Sequence, residues 1–224
     1  MKNLALILLF SLIFNILSAQ KKKDEYFHPL FKQIAKNHQT MAVLPFKFNT
    51  KLLKKDLQEV TEDQIETMEK IDGQLFQSSV YDFLKKKEEG RGLKVELQNV
   101  NVTNEILEEN SFSAKDVEAR KMKEIAKILG VDVLVFGVMN TSEPFSESAA
   151  LAINTATRIF TFGTVGAIAN AHEANGVMQI TDGTTGNLLW RYQIYIDKGA
   201  ASSSEAIVEK VMKKSAKNIP YIGK

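Results

Sequence analysis

The run Val131-Asp132-Val133-Leu134-Val135-Phe136-Gly137 constrains this chain more than any other short stretch in it. Almost continuous apolar residues, most of them β-branched, describe a strand covered on both faces, which requires packed layers above and below it. A fully buried large apolar side chain is worth roughly 1.5–3 kcal/mol, so Val131, Val133, Leu134, Val135 and Phe136 together contribute on the order of 10 kcal/mol before entropy is charged. This is the expected central strand. Ahead of it, Ser113 and Asp116 have the spacing of a capping box. The helix expected from there carries Val117, Met122, Ile125, Ala126 and Leu129, and Gly130 suits a left-handed cap.

Other elements follow from the same periodicities. Pro29 starts a short helix with Leu30, Phe31, Ile34 and Ala35. Met41 to Phe46 reads as a strand, with Pro45 at its end or on an edge. A lysine-rich connection, Lys51 to Asp56, leads to a helix from about Glu62 to Lys87, where Ile65, Met68, Leu75, Phe76, Val80 and Phe83 recur at helical spacing. After Gly90-Arg91-Gly92, alternation over Leu93 to Val102 predicts a half-exposed strand. Val177 to Thr181 and Leu188 to Ile196 form a hairpin across Asp182 to Asn187. Ser202 and Glu205 cap a last helix with Ile207, Val208, Val211, Met212 and Ser215 on one face. The order predicts one layered α/β domain over residues 40–222, preceded by a polar extension (20–39).

The amino terminus gives an address. Lys2, an apolar run from Leu4 to Leu17 and small residues at Ser18-Ala19 describe a secretory signal peptide over residues 1–19. The run is shorter than the roughly 20 residues of a membrane-spanning helix, although Lys21-Lys22-Lys23 leaves a retained anchor open. There is no cysteine, so a disulfide, a thiolate metal site and a lipid-bearing amino-terminal cysteine are all excluded. An exported chain like this must rely on its core.

Charge and motifs exclude several functions. Lys+Arg 29 against Asp+Glu 27 gives a net charge of +2, too weak a field to collect nucleic acid. Only Arg91, Arg120, Arg158 and Arg191 are arginines, and base readout favours arginine. His28, His38 and His172 lack metal-ligand spacing and read as solvated or loop histidines. No nucleophile elbow, phosphate loop or dinucleotide turn occurs. Asp182 to Asn187 has too few carboxylates for calcium and reads as a turn. Asn101-Val102-Thr103 and Asn140-Thr141-Ser142 match glycosylation acceptors. No catalytic group, metal or cofactor is expected, and the chain is expected not to be an enzyme.

One segment stands apart. The 25 residues between Glu147 and Glu173 hold a single charge, Arg158. Leu151, Ile153, Ile159, Phe160, Phe162, Val165 and Ile168 lie there among small residues and threonines. They either pack inside the domain or form a contact surface for a partner, a second copy or the outer membrane.

Met41-Ala42-Val43-Leu44-Pro45-Phe46, a long helix, Ala126 to Gly137, and then Asp182, Gly186 and Trp190 together form a recognisable pattern. It resembles the curli secretion channel subunit family and the amino-terminal domain of TolB, over about residues 40–215. The signal ending Ala19-Gln20 resembles exported proteins of Bacteroidota. The resemblance implies a mixed sheet with packing helices. It also implies a protein of the periplasm or outer-membrane periphery that works by contacts with envelope proteins or by self-association, without catalysis. Two departures stand out: the channel subunits are lipoproteins with two amphipathic hairpins, whereas this chain has no cysteine and one apolar segment. A soluble periplasmic enzyme or small-ligand binder, its site assembled only in three dimensions, is the alternative.

Overall fold

The computed structural model describes residues 25–52, 60–114, 121–142, 174–196, 204–215, 219 and 221–223. In chain order they form β1 (Glu25–Phe27), α1 (Phe31–Ile34), β2 (Thr40–Val43), β3 (Lys47–Thr50), α2 (Glu62–Glu89) and β4 (Glu96–Leu97). There follow α3 (Val100–Glu109), α4 (Met122–Leu129), β5 (Val133–Thr141), β6 (Ala174–Asp182), β7 (Leu188–Ile196) and α5 (Ser204–Ser215). The strands make one mixed sheet in the order β1-β7-β6-β5-β2-β4, with β3 also on β5. β2 and β3 run parallel to β5, and β5, β6 and β7 are antiparallel neighbours. The fold is the expected mixed α/β layer structure.

β5 is the central strand, and its alternation divides the core. Val133, Val135 and Met139 enter a large cluster with Phe76, Val80 and Leu84 of α2 and Ile207, Val208, Val211 and Met212 of α5. Leu134 and Phe136 face the opposite way, into a cluster with Leu107 of α3 and Met122, Ile125, Ala126 and Leu129 of α4. Both faces are therefore covered over Val133–Phe136, the stretch whose sequence requires it. Gly130 closes α4 with a left-handed φ of 68°.

Helix α2 also seals one side of the sheet. An edge strand leaves outward N–H and C=O groups that attract foreign strands. Here Thr50 N–H donates to Glu69 Oε1 at 2.7 Å, Leu97 N–H to Glu88 Oε1 at 2.8 Å, and Gln77 Nε2 to the Val43 carbonyl at 2.7 Å. Phe46 N–H donates to the Gly73 carbonyl at 3.2 Å. That approach needs a glycine, because a Cβ on Gly73 would lie 2.2 Å from the Phe46 carbonyl oxygen.

Two elements differ from the sequence reading. The strand predicted over Leu93 to Val102 is only Glu96–Leu97; Asn99 caps α3 through a 2.8 Å bond from Asn101 N–H, so Val100 and Val102 belong to a helix. Local polar capping outweighed the weak alternation. Thr61 and Gln64 form a capping box at the start of α2; α4 is described from Met122 onward, and Asp116 and Val117 of the expected Ser113–Asp116 box and its helix lie outside the described residues, as does Ser202. β3 was missed because four residues joined to a polar stretch give no period.

Candidate functional site

His38 corrects the reading of the histidines. The sequence suggested a loop side chain in water, but its side chain is only 6% exposed, as is that of Asp182. A short 3-10 turn, Ala35–Asn37, delivers it to the start of β2. Its Nδ1 lies 2.6 Å from Tyr221 Oη and its Nε2 3.0 Å from Asp182 Oδ2. In one tautomer Nδ1 accepts the hydrogen bond of the Tyr221 O–H and Nε2–H donates to the carboxylate. His28 is a loop histidine whose Nδ1 accepts from Leu30 N–H at 3.1 Å, and His172 lies outside the described residues.

The surrounding carboxylates are strongly solvated by protein groups. Burial alone would push Asp182 up, but the Thr185 hydroxyl and N–H, at 2.7 and 2.6 Å, and His38 hold it below the usual carboxylate range. Burial likewise opposes ionisation of Asp132, and is outweighed by bonds from Gln39 N–H at 2.8 Å and from Thr40 N–H at 3.0 Å and its hydroxyl at 3.2 Å, with His38 adding to them. The Tyr221 hydroxyl is pushed well up by burial, then by Asp182 and Asp132. The void beside Tyr221 measures about 10 Å³ and is lined by apolar residues such as Met41, Leu84 and Trp190, too little for any substrate. This cluster ties the amino-terminal turn, the β6–β7 turn and the carboxyl-terminal residues together.

A roomier feature lies where β2 breaks at Pro45. Between α2, α3 and α4 a groove of about 250 Å³ opens, floored by Leu44, Phe46, Phe48, Leu107 and Ile125. Glu66, Glu69 and Gln74 of α2 and Asn104 and Glu108 of α3 form its rim. Lys70 and Glu108 pair across it at 3.6 Å, with side chains 65% and 72% exposed, so their attraction is weak. Beneath the rim Gln77 Nε2 donates to Asn104 Oδ1 at 2.9 Å and Asn104 Nδ2 returns a bond to Gln77 Oε1 at 3.1 Å. The groove sits outside the carboxyl end of a parallel strand, where open α/β sheets place ligands. Gln77 was overlooked in the sequence; a glutamine between Phe76 and Val80, on the apolar face, was the available signal.

Leu151, Ile153, Ile159, Phe160, Phe162, Val165 and Ile168, the candidate contact residues, lie outside the described residues. The strands flanking their segment are described: β5 and β6 pair without interruption from Val133↔Asp182 to Thr141↔Ala174. The motif residues of the hairpin have plain structural duties. Asp182 organises the turn, Gly186 adopts a φ of 77°, and Trp190 is buried with Nε1 donating to Glu25 Oε1 at 2.8 Å. Among the described residues no group of three or more His, Asp or Glu could hold a metal ion, and no helix is long and apolar enough to cross a membrane.

No protein-family model and no curated protein matches the sequence. Solved structures do show similarity. Lipoprotein GNA1162 from Neisseria meningitidis is 14% identical, with 80% of this chain and 95% of that one covered and a TM-score of 0.42. The PelC dodecamer from Paraburkholderia phytofirmans is 10% identical over 89% of this chain and 96% of that one, TM-score 0.42. The LpoB C-terminal domain from Salmonella enterica is 12% identical over 76% and 94%, TM-score 0.33.

Proposed function

We propose that this chain is an exported cell-envelope protein, periplasmic or at the outer-membrane periphery, that acts by contacts with other envelope proteins or with copies of itself and catalyses no reaction. The observation that carries the reading is the pairing of Thr141 with Ala174. Strands that meet in this way can be joined by a two-residue turn, yet residues 142–173 are inserted there, with a stretch holding only Arg158 as a charge. Connecting the strands does not require that apolar material, and contact with a partner is the use proposed for it. The leader at residues 1–19 supports export, and the resemblance to the curli secretion channel subunits and to TolB points to the same compartment.

The test is a Phe160→Ser/Phe162→Ser double variant of the full chain, followed through envelope fractionation and size-exclusion chromatography. The parent is expected to co-fractionate with the envelope or self-associate, and the variant to lose that behaviour at an unchanged thermal midpoint. Identical behaviour of the two, both monomeric and free of membranes, refutes the reading.

The groove at Pro45 favours a second reading, a small-ligand binder. A ligand of the native state raises stability with its concentration, so a thermal-shift screen in which no compound moves the midpoint removes it.

A further inference from the structure

The face of β5 that carries Leu134 and Phe136 is packed against α3 and α4 only along part of its length. Beyond Phe136 the sheet exposes a different chemistry. Asn49 of β3, Asn140 of β5, Asn175 of β6 and Tyr195 of β7 stand in one line of register partners across four strands. All four are exposed, Tyr195 by 52%. Asn49 Nδ2 donates to Asn140 Oδ1 at 3.0 Å, and Asn140 Nδ2 to Asn175 Oδ1 at 3.2 Å. The next line pairs Gln193 with Val177 and Val138 with Lys47; the one after pairs Arg191 with Gln179 and with Tyr26. No carboxylate occupies any of these positions.

We infer that this face binds an extended, hydroxyl-rich glycan chain. An exposed helix face of the same protein is made of lysine and glutamate, as in Glu209, Lys210 and Lys213 of α5, so solvation alone does not call for carboxamides. Each carboxamide has two N–H donors and a carbonyl acceptor, and the ladder spends at most one donor per residue. The remainder point at solvent as paired donors and acceptors, the pattern that sugar hydroxyls match. Strands about 4.8 Å apart repeat that pattern at nearly the rise of one ring in an extended β-linked glycan. Tyr195 ends the line with an aromatic ring on which a sugar's C–H face can stack. Arg191 and Lys47 suit neutral or carboxylated sugars and disfavour cationic ones. A protein partner is a poorer match, because its interface would centre on apolar anchors and this line centres on amides. Two cations are too few for a nucleic-acid backbone.

The experiment is a titration of the full ¹⁵N-labelled chain with N-acetylglucosamine tetramer and, separately, cellotetraose, read at the side-chain amide resonances. Saturable shifts confined to Asn49, Asn140, Asn175 and their neighbours are expected with at least one sugar. Asn140→Ala and Tyr195→Ala should each weaken that binding about tenfold with no change in thermal midpoint. The inference is overturned by the absence of saturable shifts with both sugars. It is equally overturned by binding that neither variant weakens, or by saturation with an uncharged extended tetrapeptide and not with sugar. A protein whose envelope contacts survive these variants still supports the proposed function, so the two outcomes are separable.

Discussion

Removing the Tyr221 hydroxyl tests whether the His38 cluster holds the fold together. Tyr221→Phe deletes the 2.6 Å bond to Nδ1 and leaves that nitrogen without a partner in a site that is only 6% exposed. A buried polar atom stranded in this way costs about 1–2 kcal/mol. His38→Ala removes both bonds at once, and one of them is to a charged carboxylate, so about 2–4 kcal/mol is expected. In a domain of this size 1 kcal/mol corresponds to roughly 2–4 °C of thermal midpoint. His38→Ala should therefore melt about 5–15 °C early, and Tyr221→Phe about 2–8 °C early. The double variant should be no worse than His38→Ala by more than a few tenths of a kcal/mol, which gives a coupling of about 1 kcal/mol. Urea unfolding followed by circular dichroism measures all three. Singles that leave stability unchanged, or a strictly additive double, refute the idea that these side chains act as one tie.

The same cluster sets an acid limit. Asp132 and Asp182 are held below the usual carboxylate range, so the unfolded chain takes up their protons first as pH falls below about 4. The stability they contribute is complete above that point and is lost as pH drops through their folded values. Asp182→Asn should flatten the loss measured by urea unfolding between pH 5 and pH 3; an unchanged slope contradicts this. Gly73→Ala brings a Cβ to within 2.2 Å of the Phe46 carbonyl oxygen, a backbone clash that cannot relax by rotation. It should cost about 1–3 kcal/mol despite the better helix propensity of alanine, and a variant as stable as the parent would show that α2 does not clamp the sheet edge.

The parts of the fold that could be read from the sequence were those with a long, clean period. β5 declared itself through Val133 to Phe136, the β6–β7 hairpin through Gly183 and Gly186, and α2 through Met68, Phe76 and Val80. Short elements escaped: β3 is four residues, and α3 was hidden because Val100 and Val102 continued an alternation that Asn99 terminates. The His38 cluster was illegible for a different reason. Its members stand at 38, 182 and 221, and only the sheet brings them together; no spacing along the chain records that. The amide line is similar, since Asn49, Asn140 and Asn175 become neighbours only through strand register.

The most direct test of the envelope-contact account replaces residues 143–172 of the full chain with Asn-Gly, a turn that closes paired antiparallel strands. The account predicts a thermal midpoint within about 2 °C of the parent, no more than the effect of about 1 kcal/mol, together with loss of envelope co-fractionation and self-association. An unfolded variant, or one that still co-fractionates as the parent does, contradicts it.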